Sequence, residues 1–115
     1  MRVAGIMSGT SLDGIDVAIV DIAGRRVQAV AFSTSPYGDD LRARILAVSN
    51  TQCETSAISR LNFELGDAYS RAVIAACRSA KIAVKSIQLI GCHGQTIYHQ
   101  GDGETPKHCR SARHR

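Results

Sequence analysis

The residue types able to do chemistry are concentrated in Ser8-Gly9-Thr10-Ser11-Leu12-Asp13-Gly14-Ile15-Asp16. Glycines leave backbone N–H groups bare, and Thr10 and Ser11 add two hydroxyls. Such a loop can fold around an anion, its amides converging on phosphate oxygens. Asp13 and Asp16 flank it. Carboxylates beside a phosphate repel it unless a cation sits between them, and Mg²⁺ is the usual one. The plain alternative is a long structural turn. Asp13-Gly14 is a hairpin signal in its own right, because such a turn needs positive φ and Gly supplies it without strain. That explains two residues, but the connection runs from Ser8 to Gly14, whereas hairpin loops usually need only about two to five.

A second polar cluster follows at Gly91-Cys92-His93-Gly94-Gln95-Thr96. His93, Gln95 and Thr96 offer neutral donors and acceptors, well suited to sugar hydroxyls and amides. The alternative is a polar loop that satisfies its own backbone. Cys92 beside His93 invites a thiol-nucleophile reading, but sequence neighbours on a loop rarely face each other as an activated pair. A zinc site could draw on Cys92, His93, His99, His108, Cys109 and His114. None of their spacings matches a zinc-ligand pair with the cysteines in register, so no zinc is expected.

The first stretch is neither a Walker loop nor G-x-G-x-x-G. A phosphate loop held within a hairpin is similar to the ATPase fold of actin, hexokinase and Hsp70. There, antiparallel strands of a ribonuclease-H-like lobe hold the nucleotide phosphates. G-I-M-S-G-T-S-L-D-G-I-D, Gly5 to Asp16, closely resembles the N-terminal signature of the anhydro-N-acetylmuramic acid kinases. G-C-H-G-Q-T-I-Y-H, Gly91 to His99, falls where that family has its H-G-Q-T segment.

The resemblance implies an ATP-dependent sugar kinase with Mg²⁺. Its reaction moves the ATP γ-phosphate to O6 of 1,6-anhydro-N-acetylmuramic acid while water opens the anhydro bridge. The product is N-acetylmuramic acid 6-phosphate, in cell-wall recycling. On this resemblance Gly9, Thr10, Ser11, Leu12, Asp13, Gly14, Ile15 and Asp16 hold ATP, with Asp13 and Asp16 as Mg²⁺ candidates. His93, Gly94, Gln95 and Thr96 line the sugar. The family's general base lies in a later segment, so no catalytic residue is assigned.

The elements that must position these clusters are legible from periodicity. Val3 to Met7 and Ile15 to Val20 are β-branched runs on either side of the first loop, hence strand, loop, strand. Beyond Asp16 both faces of the second run are apolar, as in a strand covered on both sides. Ala23-Gly24-Arg25-Arg26 is a turn, and Val27 to Thr34 alternates as a third strand. Three strands with short connections make an antiparallel meander.

Asp39-Asp40 opens a helix striped by Leu41, Ile45, Leu46 and Val48. Thr55 or Ser56 caps a longer helix running to about Ala80, with Ile58, Leu61, Leu65, Ala68, Ala72 and Ala75 on one face. Its opposite face, with Arg60, Glu64, Asp67, Arg71 and Arg78, reads as solvated. Gly66 interrupts it at a cost of roughly 1 kcal/mol against Ala, which close packing on the sheet would justify. Ser86 to Ile90 reads as a strand parallel to the first, because a helix crosses over. It delivers the H-G-Q-T segment at its carboxyl end, where open α/β sheets bind ligands. The expected fold is an incomplete α/β, ribonuclease-H-like, actin–hexokinase–Hsp70 ATPase-type lobe over residues 1–100.

Composition narrows the partners. With 44% hydrophobic and 21% charged residues the 115-residue chain is globular in type. No apolar run approaches the roughly 18 residues of a membrane span, and the N-terminus lacks a signal-peptide pattern. A cytoplasmic protein follows, with Cys53, Cys77, Cys92 and Cys109 as free thiols. Of the net charge of +4, half lies in residues 101–115. The rest of the chain carries no basic stripe and few aromatics, so nucleic acid and membrane are not expected partners. ATP and a small sugar are. Oligomeric state is not legible.

Residues 101–115 have almost no apolar residue, no periodicity and a basic end. They read as a disordered or frameshifted tail unlike the family. With one phosphate loop and one substrate loop, the chain alone is expected to lack kinase turnover. The alternatives are a non-enzymatic phosphate- or nucleotide-binding module and a non-functional gene remnant.

Overall fold

A computed structural model describes residues 1–9, 12–100 and 108–112. Strands β1 (Arg2–Ser8), β2 (Ile15–Ala23) and β3 (Arg26–Ser35) are followed by helices α1 (Asp39–Val48) and α2 (Thr55–Ser79). A 3₁₀ turn at Val84–Ser86 leads to β4 (Leu89–Cys92), then β5 (Gln95–Gln100) and β6 (His108–Ala112). The main sheet has the order β3-β2-β1-β4. β1 pairs antiparallel with β2, β2 antiparallel with β3, and β4 parallel with β1. This is the expected meander with a helical crossover.

Period-two alternation sets which face is buried. Ala4, Ile6 and Ser8 of β1 lie opposite Ile19, Val17 and Ile15 of β2, and all six are buried. The five apolar ones meet Leu41, Ile45 and Val48 of α1 and Leu61, Leu65, Ala72 and Ala76 of α2 in one apolar cluster. Strand side chains two apart share a face, so one register commits the whole strand. The two-residue turn between β2 and β3 has Gly24 at φ 60, the left-handed region that tight hairpins require.

Four expectations of local structure change. First, β2 is covered on one face among the described residues: on the other, Met7 is 57% and Phe32 69% exposed. The reason is that α1 and α2 both pack on the Ala4–Ile6–Ser8 side. Second, β4 begins at Leu89 rather than Ser86. Ser86 folds back instead, its N–H and Oγ both donating to the Ala83 carbonyl, at 2.9 and 2.6 Å.

Third, neither Thr55 nor Ser56 caps α2. Glu54 takes the N-cap position without a side-chain cap bond, and Ser56 Oγ donates weakly to its carboxylate at 3.4 Å. Fourth, Gly66 borders an open groove of about 650 Å³ between α2 and β4, rather than packing tightly on the sheet. On the charged face of α2, Glu64 is ion-paired with Arg44 of α1, so that charge ties the helices together.

Within the expected tail, 101–107 and 113–115 lie outside the described residues. His108–Ala112, expected to be unstructured, pairs antiparallel with β5. Ladder hydrogen bonds come from the backbone, so a segment poor in apolar side chains can still add a strand.

Candidate functional site

The β1–β2 connection comprises residues 9–14, because Ser8 is already in register with Ile15. Thr10 and Ser11, both expected to touch phosphate, lie outside the described residues. Leu12 anchors the loop: its side chain is 6% exposed and belongs to the core cluster. It holds φ 56, and its N–H donates to the Gly9 carbonyl at 3.3 Å. A left-handed L-residue costs about 1–2 kcal/mol, which burial of the leucine offsets.

Gly14 differs from expectation in its reason. It is not among the positive-φ residues. A Cβ there would lie 2.7 Å from the Ser35 carbonyl oxygen and 3.2 Å from Thr34 Cγ2. Glycine is required by the close approach of β3, not by turn handedness.

β1 and β4 run parallel, so their carboxyl ends emerge side by side. The ladder continues one residue beyond β4, where the His93 N–H donates to the Ile6 carbonyl at 3.0 Å. Gly94, at φ 83, then redirects the chain into β5. Four of the six residues read as a loop are therefore strand, since Gly91 and Cys92 close β4 and Gln95 and Thr96 open β5.

The two candidate loops are joined by a buried hydrogen-bond network. Ser8 Oγ donates to the Gly94 carbonyl at 3.0 Å and lies 2.7 Å from the Tyr69 hydroxyl. Serine has one hydroxyl proton, so with that proton on Gly94 it is Tyr69 that donates to Ser8. Gln95 is 1% exposed. Its Nε2 donates to the Gly9 carbonyl at 3.2 Å and to the Thr96 carbonyl at 3.1 Å, and its Oε1 accepts from Tyr37 at 3.0 Å. Burial pushes the Tyr37 and Tyr69 phenols above their ordinary range.

Tyr37 and Tyr69 are site residues that motif reading missed. One signal was present: Tyr69 sits four residues after Leu65 on the buried stripe of α2, and a buried tyrosine hydroxyl needs a partner.

The remaining candidates are differently placed. His93 is exposed, with Nδ1 3.3 Å from the Gly94 carbonyl. Cys92 is half-buried, and desolvation raises its thiol above the ordinary range, which disfavours a nucleophilic thiolate. Cys53, Cys77 and Cys92 are free thiols. The side chains of His99, His108 and Cys109, and all of His114, lie outside the described residues. Asp13 is exposed.

Asp16 pairs with Met7, one step from the Ser8–Ile15 pair, and therefore projects to the opposite face of the sheet. There it shares a shallow hollow with Gly5, Met7, Ala18, Phe32 and Gly91, and its Oδ1 accepts from Thr34 Oγ1 at 2.7 Å. No group of three or more metal-ligating side chains occurs among the described residues. Asp13 and Asp16 supply carboxylate oxygens, the ligand type of which Mg²⁺ takes one or two while completing its octahedron with other oxygens and water.

A meander, a helical crossover to a parallel strand, and polar loops at adjacent strand ends define part of the ATPase-type lobe of the sugar-kinase class. The chain belongs to the anhydro-N-acetylmuramic acid kinase family, whose sequence model matches residues 1–112. The match thus continues past residue 100, where the resemblance had been expected to stop. Anhydro-N-acetylmuramic acid kinases of Bacillus cereus strain ATCC 10987 / NRS 248 and strain AH820 are 44% and 45% identical over 107 and 105 residues. A Bacillus anthracis (strain CDC 684 / NRRL 3495) kinase of the same name is likewise 45% identical over 105 residues. These alignments take in 87% of this chain but only 27% or 28% of each relative. The chain spans little more than a quarter of the curated relatives it matches.

Proposed function

We propose that this chain supplies the phosphate-side and sugar-side loops of an ATP-dependent kinase acting on 1,6-anhydro-N-acetylmuramic acid. The observation that carries the reading is the direct bonding of Ser8 and Gly9 to Gly94 and Gln95, which sets an anion-type loop against a sugar-type loop. ATP would supply the transferable phosphoryl group and Mg²⁺ would neutralise its developing charge. With water consumed at the anomeric carbon, the product would be N-acetylmuramic acid 6-phosphate.

The chain's own part is positioning, which dominates catalysis of phosphoryl transfer. Gly9, Asp13 and Gly14 would offer backbone N–H groups to the phosphates, while Leu12, whose N–H is spent on the Gly9 carbonyl, and Gly14 hold the loop against the core and β3. Asp13 and Asp16 are the carboxylates assigned to a bound cation. His93, Gly94 and Thr96 are assigned to the sugar side. The reaction belongs in the cytoplasm, where ATP is available. Among the described residues no helix is long and apolar enough to cross a membrane.

None of these residues is assigned the role of general base, a group whose loss typically costs about 10²- to 10⁴-fold in rate. The 115-residue polypeptide by itself is therefore expected to bind Mg·ATP without turnover. A coupled assay with ATP, Mg²⁺ and 1,6-anhydro-N-acetylmuramic acid, alongside calorimetric titration of Mg·ATP and an Asp13→Asn control, tests this. Binding without turnover supports the reading. Turnover abolished by Asp13→Asn refutes the expectation of an inactive fragment, and a folded chain that binds neither nucleotide nor sugar refutes the assignment of the loops.

A further inference from the structure

Gln95 belongs to the motif expected to touch sugar, yet its carboxamide is committed inside the protein. Both Nε2 hydrogens are used, one on the Gly9 carbonyl and one on the Thr96 carbonyl. Its Oε1 accepts from the Tyr37 hydroxyl, which fixes the amide's orientation, because the two carbonyls can only accept. A sugar hydroxyl could engage this group only by displacing one of these buried bonds. The Gly9 carbonyl also accepts from the Leu12 N–H.

We infer that Gln95 is a positioning residue for the β1–β2 loop, held in its working orientation by Tyr37, and not a sugar ligand. Moving Gly9 would strand a donor on a buried amide, so the carboxamide restricts where the loop can go. The Ser8–Gly94 bond is a second tie one residue back on each segment, making the loop and the H-G-Q-T segment one mechanical unit. Its consequence for nucleotide rests on the phosphate-loop reading above. The positioning itself does not.

The test uses the 115-residue chain, Gln95→Met, Tyr37→Phe and the double variant. Methionine keeps the length and volume of glutamine while removing its polar atoms. Hydrogen exchange at the Leu12 amide is compared with that at Val17 in the sheet, and Mg·ATP and 1,6-anhydro-N-acetylmuramic acid are titrated separately. Faster exchange at Leu12 with Val17 unchanged is expected in both single variants. Mg·ATP affinity should fall about tenfold in Gln95→Met and less in Tyr37→Phe. The double variant should be no worse than Gln95→Met, because both changes act through one bond.

Exchange that rises equally at Leu12 and Val17 would mean a merely structural role and overturn the inference. So would weakened sugar binding with Leu12 exchange and nucleotide affinity unchanged. If Leu12 responds as expected while the unaltered chain does not bind Mg·ATP, positioning stands and the phosphate reading falls. Should Gln95→Met fail to fold, Tyr37→Phe deletes a single oxygen and decides the question by the same exchange readout.

Discussion

Gly14 and Gly24 are both hairpin glycines, but they are needed for different physical reasons, and substitution separates them. Gly14→Ala places a methyl 2.7 Å from a backbone carbonyl oxygen of β3, an atom that moves only with its strand. Overpacking of this kind costs about 1–3 kcal/mol. In a domain of this size, taking about 2 kcal/mol at roughly 4–8 °C per kcal/mol, the melting temperature should fall by roughly 8–16 °C. Gly24 has nothing within 4 Å of an added Cβ but holds φ 60. Gly24→Ala should therefore cost only the left-handed penalty, about 1–2 kcal/mol. Asparagine tolerates that region, so Gly24→Asn should recover much of the loss. At Gly14 a larger side chain only worsens the clash, and Gly14→Asn should be less stable than Gly14→Ala. Thermal and urea melts of the four variants provide the readout. A Gly14→Ala protein as stable as the parent, or rescue by asparagine at Gly14, would refute the close-approach argument.

Three further outcomes follow from the burial pattern. Burial holds the Tyr37 and Tyr69 phenols neutral beyond their usual range, so the unfolded chain ionises first. Stability is full below about pH 10 and falls as pH rises above it, and Tyr69→Phe should flatten that decline in urea melts across pH 8 to 11. Leu65 is fully buried on α2, and Leu65→Ala should cost about 2–5 kcal/mol by chemical denaturation. Phe32, 69% exposed on the open sheet face, should tolerate Phe32→Ser within roughly 1 kcal/mol, while light scattering at high concentration shows less self-association.

Much of the fold was legible because periodicity records which side of an element is buried. The meander, α1 from Asp39, α2 from Thr55 and the parallel β4 all follow from runs whose alternation leaves little choice. The boundary of β4 was not legible. Lys81 to Ile90 can satisfy its backbone either in a ladder or in a 3₁₀ turn, and the Ser86–Ala83 bonds decide for the turn. The β6 strand escaped detection because its pairing depends on backbone groups rather than on an apolar pattern.

At the candidate site, the sequence by itself determined which residue types were present and in what order: the Gly9–Asp16 loop and the His93–Thr96 segment. Tertiary structure decided what each of them does. Register put Asp16 and Ser8 on opposite faces of the sheet, because a one-residue step reverses side-chain direction. Parallel pairing of β1 with β4 brought segments more than 80 residues apart into hydrogen-bond contact and buried Gln95 between them. No local pattern marks a glutamine as a brace rather than a ligand. That depends on where Gly9, Tyr37 and Thr96 place their polar atoms, which only the folded chain brings together.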